Sequence, residues 1–172
     1  IVMGTKGASG LREALIGTVT ASVIEHAKCP VLAIPPLAKW RDLDKIVYAT
    51  SYEEGDFGHV ETVIDFAKAL NAELILLHIS TGKYDRTYEF DAIQRYKERL
   101  EQDTDFHKIS IKLLEDKEVF QGISDYVEEV KADVIAMNLR SRSFIQKLLE
   151  RSLTKRMAYH THIPLFAFHS EK

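Results

Sequence analysis

Near the start of the chain, Gly4, Thr5, Gly7, Gly17 and Thr18 are the residue types that handle phosphate. The stretch Gly4-Thr5-Lys6-Gly7-Ala8-Ser9-Gly10 follows a short apolar run, Ile1-Val2-Met3, and Gly17-Thr18 opens a segment of helical spacing. Glycine lets a backbone turn tightly and approach phosphate oxygens with no β-carbon in the way. Successive peptide N–H groups in such a loop form an anion-binding nest. At a helix start the unpaired N–H groups and the helix dipole add to that attraction, and the Thr18 hydroxyl can add a hydrogen bond. The loop is not a P-loop, because no Gly-Lys-Ser/Thr closes it. The alternative is that these glycines serve only to turn a strand into a helix.

Few other residues suggest chemistry. His160 and His162 sit two apart with His169 following, but a metal site needs further ligands at defined geometry. His78 falls in an apolar strand, either packing at the sheet end or lining a pocket. Cys29 has Lys28 beside it, yet a reactive thiol needs a stronger reason for a lowered pKa, and a structural role is expected. Glu53, Glu54 and Asp56 read as a solvated loop and helix start. No Ser-His-Asp set or carboxylate pair stands out, so no catalytic residue and no metal ligand is assigned. Arg140, Arg142, Lys147, Arg151, Lys155 and Arg156 form a local basic cluster that reads as a solvated face, with anion binding by Arg140, Arg142 and Arg151 as the alternative.

Bulk properties narrow the class. The 172 residues suit one domain or one and a fraction. With 45% hydrophobic and 28% charged residues, a core that folds without staples is available. The formal charge of -3 argues against nucleic acid as a partner. No apolar run is long enough to predict a membrane span. The single cysteine allows no internal disulfide and fits a reducing compartment. Ile1-Val2-Met3-Gly4 lacks the basic start of a signal peptide and reads as a buried strand with partners upstream.

Periodicity supplies the elements that would position these residues. Ile1 to Gly4 predicts a strand, Thr18 to Ala27 a helix with Val19, Val23 and His26 on one face, and Pro30 to Ile34 a second strand. Pro35-Pro36 ends it, and 37–43 reads as a linker. From Lys45 the order is β-α-β-α-β-α-β-α-β. Strands are expected at Lys45–Thr50, Glu73–Ile79, Ile109–Leu113, Ala132–Met137 and Leu165–Phe168. Helical stripes run through Val60, Val63, Ile64, Ala67 and Leu70, then Phe90, Ile93, Lys97 and Leu100, then Val119, Phe120, Ile123, Val127 and Val130, with a last helix at Ser152–Tyr159. Apolar strands alternating with helices predict an α/β fold: a five-stranded parallel sheet, flavodoxin-like or Rossmann-like, with helices on both faces.

Residues 1–34 also match residues 135–168 without a gap, at a constant offset of 134. Ile1/Ile135, Met3/Met137, Ser9/Ser143, Leu15/Leu149, Thr20/Thr154, His26/His160, Pro30/Pro164 and Ala33/Ala167 are identical pairs. The repeat predicts that 1–36 is the strand-helix-strand tail of a first domain and 44–172 a complete second domain. His160 inherits from His26 the expectation of a packed core histidine.

Val2 to Leu11, Gly17-Thr18-Val19-Thr20 and Cys29-Pro30-Val31-Leu32 together resemble the universal stress protein signature. Nucleotide-binding members carry Gly-x-x-Gly, nine residues, then Gly-Ser/Thr, a pattern that Gly4, Gly7, Gly17 and Thr18 match. The resemblance covers essentially the whole chain and implies an adenine nucleotide alpha hydrolase-like fold. It also implies ATP as ligand of the full-length protein, a cytoplasmic bacterial setting and nucleotide-linked assembly. The second copy departs at every glycine: Asn138, Ser141, Arg151 and Ser152 stand where Gly4, Gly7, Gly17 and Thr18 do in the first. Ser51 stands where nucleotide-binding members end the first strand with aspartate. The complete domain is therefore expected to have lost ATP.

Members pair through their last strands, which here predicts antiparallel pairing of Pro30–Ile34 with Pro164–Phe168, so that the partial copy extends the sheet. Ile1 to Met3 would then be an apolar edge, and a homodimer covering it is expected. The functional expectation is a non-enzymatic stress-response module, with protein partners unnamed. Slow ATP hydrolysis in the full-length protein and a ligand-free interaction scaffold are the alternatives.

Overall fold

The computed structural model describes residues 1–5, 18–39, 42–52, 56–83, 85–139 and 162–168. Its elements run β1 (Val2–Gly4), α1 (Thr18–His26), β2 (Val31–Ile34), β3 (Lys45–Ala49), α2 (Phe57–Leu70), β4 (Glu73–Ser80), α3 (Arg86–Asp103), β5 (Ile109–Glu115), α4 (Val119–Glu129), β6 (Val134–Asn138) and β7 (Leu165–Phe168). The expected helix Ser152–Tyr159 lies outside the described residues. The chain divides into two compact units, Ile1–Asp42 with Asp133–Lys172, and Leu43–Ala132.

The first unit carries strands in the order β1-β2-β7-β6. β1 pairs parallel with β2 through Val2↔Leu32, Met3↔Ala33 and Gly4↔Ile34. β6 pairs parallel with β7 through Ala136↔Phe166, Met137↔Ala167 and Asn138↔Phe168, the same register shifted by the repeat offset. Even the flanking bonds correspond: Thr5 N donates to Ile34 O at 2.9 Å, and Leu139 N to Phe168 O at 2.8 Å. The expected antiparallel seam between β2 and β7 is present, with Val31↔Ala167, Leu32↔Phe166 and Ala33↔Leu165. Applying the repeat to this seam exchanges its outer pairs and returns Leu32↔Phe166 to itself. A local two-fold axis therefore passes through that pair, the arrangement of an isologous contact. Both seam strands are built from small and apolar residues, because each is flanked on both edges and buries Val31, Ala33 and all four residues of β7.

The α1 face differs from the expected one. Val19 is 66% exposed and His26 is exposed, its Nδ1 lying 2.8 Å from the Ser22 carbonyl, while Thr20, Ala21 and Ile24 are buried. Positions 19 and 23 have the same spacing as 20 and 24, so periodicity leaves the choice of face to packing. The expectation that His160 is a core histidine loses its basis with His26 in solvent, and His160 itself lies outside the described residues.

In the second unit β3, β4 and β5 are parallel and adjacent in chain order. In a flavodoxin-like order the first strand would lie between the second and third. Here β4 is the middle strand, so this unit follows the Rossmann-like alternative. The run Leu74–Leu77 is buried on both faces, as a central parallel strand requires. The α2 stripe packs as expected through Val60, Val63, Ile64 and Ala67. α4 comes so close to β4 that a β-carbon on Gly122 would meet Ile79 side-chain atoms at 3.0 and 3.1 Å. α3 keeps Leu100 of its expected stripe inward but turns Phe90 out, 58% exposed, with Glu89 and Tyr96 buried beside Leu100. β5 has one described neighbour, β4, and Leu113 is 41% exposed.

Candidate functional site

In the first unit Gly4 ends β1, and the Thr20 hydroxyl of α1 donates to its carbonyl at 3.0 Å. Strand end and helix start are thereby pinned together. The Thr5 amide is committed to Ile34 O, so it has no proton to give a ligand. Its hydroxyl is buried and has no hydrogen-bond partner among the described residues. Thr18 opens α1, as expected. Gly7, Gly17 and the Thr18 side chain lie outside what is described, as do Ser141, Arg151, Ser152 and the whole basic cluster. Asn138 ends β6 where Gly4 ends β1.

The second unit builds a polar cluster at the carboxyl ends of β3 and β4, where open α/β sheets place their ligands. Its centre is Asp56, which is only 2% exposed and corrects the expectation of a solvated helix start. One of its oxygens, Oδ2, accepts from the Ser51 amide at 3.0 Å, the Ser51 hydroxyl at 2.9 Å and the Thr50 hydroxyl at 3.2 Å. A buried carboxylate is tolerated when such donors replace its water. A carboxylate five residues later in the chain thus hydrogen-bonds to Ser51, just past the end of β3. Ser51 is exposed, with its hydroxyl proton held inward, so it presents acceptor lone pairs to solvent.

Thr50 is the hub of this cluster. Its hydroxyl also accepts from the Tyr52 amide at 3.0 Å, and its carbonyl lies 2.9 Å from His78 Nδ1, which must be the donor there. This turn holds Tyr52 at φ 55°, a conformation a tyrosine adopts only under constraint. The Tyr52 ring lies between His78 and Tyr96, with centroids 5.2 and 5.1 Å away, and Tyr96 meets Phe57 edge-on at 5.3 Å. The Arg99 guanidinium sits over the Phe57 ring at 3.6 Å. On β4, the Ser80 hydroxyl donates to Glu89 Oε1 at 2.9 Å, and the same oxygen lies 3.9 Å from His78 Nε2. His78 therefore belongs to the cluster, packed at the end of the sheet.

Burial pushes the Tyr52 and Tyr96 phenols well above their ordinary value, and for Tyr96 the Asp56 charge adds to it. Burial lowers His59 on α2, with Asp56 opposing. The cluster can orient and accept hydrogen bonds. Among the described residues no three His, Cys, Asp or Glu side chains could hold a metal ion, and no helix is long and apolar enough to cross a membrane. Cys29 is exposed.

Thr50, Tyr52, Glu89, Tyr96 and Thr20 were not singled out from sequence as site residues. For Glu89 a signal existed: with Ile93, Tyr96 and Leu100 it keeps heptad spacing, so an acid sits at a core position.

Comparison with known proteins agrees with this architecture. The family model described as the universal stress protein family matches residues 1–35 and 43–169. A universal stress protein from Archaeoglobus fulgidus DSM 4304 superposes with a TM-score of 0.66 at 20% identity, covering 99% of this chain and 60% of that one. A putative universal stress protein from Pseudomonas aeruginosa UCBPP-PA14 gives 0.63 at 15% identity, covering 98% and 62%. A universal stress protein in complex with cAMP gives 0.58 at 17% identity, covering 76% of this chain and 100% of that one. The chain thus spans about 60% of the length of the Archaeoglobus protein. No curated protein matches it. At these identities the structures speak for the fold alone, while the family model covers nearly the whole sequence: the chain belongs to the universal stress protein family.

Proposed function

We propose that this chain is a non-enzymatic, nucleotide-linked assembly module of tandem type. Residues 1–36 are the tail of a first domain, 37–43 a linker and 44–172 a complete second domain. The observation that carries this reading is the seam through Leu32↔Phe166, where two copies of one strand-loop-helix-strand sequence meet in matched register about a local two-fold axis. Such a contact joins two equivalent domains through equivalent surfaces.

Gly4, Thr5, Gly7, Gly17 and Thr18 form the phosphate loop of the first domain, with ATP as its ligand in the full-length protein. The cAMP bound by a structurally similar member supports the adenine-nucleotide class. In the second domain Asn138, Ser141 and Arg151 stand at the positions of Gly4, Gly7 and Gly17, replacing glycines by residues with side chains. That domain is the silent partner of the pair. The protein works in the cytoplasm as a homodimer and binds its nucleotide without turning it over.

The test is calorimetry with magnesium-ATP on this chain and on the protein extended upstream by one domain. Binding by the extended protein alone, abolished by Gly7→Val, supports the reading. Binding by neither favours the interaction scaffold, and phosphate release at a steady rate favours a slow ATPase.

A further inference from the structure

α3 is fastened to the second unit unlike its neighbours. It buries three of its 18 residues, Glu89, Tyr96 and Leu100, against five of 14 in α2 and five of 11 in α4. Its first half buries Glu89 alone, while Tyr88 and Phe90 on either side are exposed. Glu89 is held by the Ser80 hydroxyl and by His78 Nε2 at 3.9 Å, the outer limit for an ion pair. A further tie in this half is the exposed Arg86–Glu115 pair at 2.6 Å, of a kind that contributes little. A carboxylate regains its hydration when it leaves such a site, so opening costs less than withdrawing an apolar side chain. Upstream, Gly82 has φ 72° with open space around it, which gives the chain a pivot.

We propose that α3 is a lid over the carboxyl end of β4, latched by Glu89, whose first half opens as a unit while the rest of the second unit stays folded. Opening bares the Ser80 hydroxyl and the Nε2 edge of His78, so access to this end of the polar cluster is governed by a polar latch. The opening is a local unfolding event of the low-stability kind.

Hydrogen exchange read by mass spectrometry on the whole chain tests this. Amides of residues 86–95 should exchange at least about ten-fold faster than those in the middle of α2, with little dependence on low urea. Glu89→Ala should speed the 86–95 amides by about ten-fold more and leave α2 and α4 unchanged, and Glu89→Gln, whose amide oxygen still accepts from Ser80, should fall between. Equal protection of α3 and α2 in the unaltered chain overturns the lid. So does a Glu89→Ala effect spread evenly over all three helices. If Glu89→Ala does not fold, Ser80→Ala, which removes the donor and little volume, takes its place with the same two outcomes.

Discussion

Ser51 gives both its amide and its hydroxyl proton to a single carboxylate oxygen of Asp56, at 3.0 and 2.9 Å. The bond pair closes the turn after β3, holds Tyr52 left-handed and brings a charge to the strand end from the start of α2. Removing the carboxylate leaves the buried Thr50 hydroxyl and both donors of Ser51 without their acceptor. Asp56→Ala should lower the unfolding free energy by about 2–3 kcal/mol, and Asp56→Asn by about half that, since its amide oxygen still accepts. Urea denaturation followed by circular dichroism measures both; equal losses for the two variants would show that packing, not acceptance, is at stake.

His59 gives a pH signature. Burial lowers its pKa from the ordinary 6.5, so between the folded and unfolded values the unfolded chain binds more protons. Its contribution is therefore fully present above the ordinary value and is lost as pH falls below it. His59→Gln should flatten that part of the stability curve as pH falls below 6.5. Because Asp56 opposes the shift, NMR titration of Asp56→Asn should find His59 moved further down. An unchanged or raised His59 would contradict the geometry.

Lys131, just past the end of α4, sits at φ 54° with its amide donating to Glu128 O at 3.1 Å. Glycine adopts that conformation without the β-carbon clash. Lys131→Gly should stabilise the chain by about 0.4–1 kcal/mol, read as a higher urea midpoint at unchanged slope.

The seam predicts a local failure. β2 is bonded on both edges, to β1 and to β7, so Ala33→Pro removes a ladder donor and forces the ring between two strands. Limited proteolysis with mass spectrometry should then cut within residues 1–36 at enzyme levels that leave the unaltered chain whole. Cleavage spread evenly over both units would instead mean that the seam is not separable from the rest of the fold.

The β-α alternation, the repeat and the phosphate motif were all legible in the residues themselves, because strand and helix periods and glycine spacing are properties of neighbours along the chain. The antiparallel seam came from the resemblance instead, which implies pairing through the last strands, and β2 and β7 do pair in that way. Which helix face turns inward was not legible. In α1 and α3 two adjacent stripes have equal spacing, and the choice between Val19 and Thr20, or Phe90 and Glu89, rests on the surface each helix lies against. The polar cluster was hidden for a related reason. Ser51 announced a missing acid, but the carboxylate it bonds to lies five residues on in a stretch that reads as solvated, and Glu89 arrives from a separate helix. Local sequence sets what each segment can become. Only the folded sheet, by withdrawing water from one side of each element, decided which polar groups had to find each other.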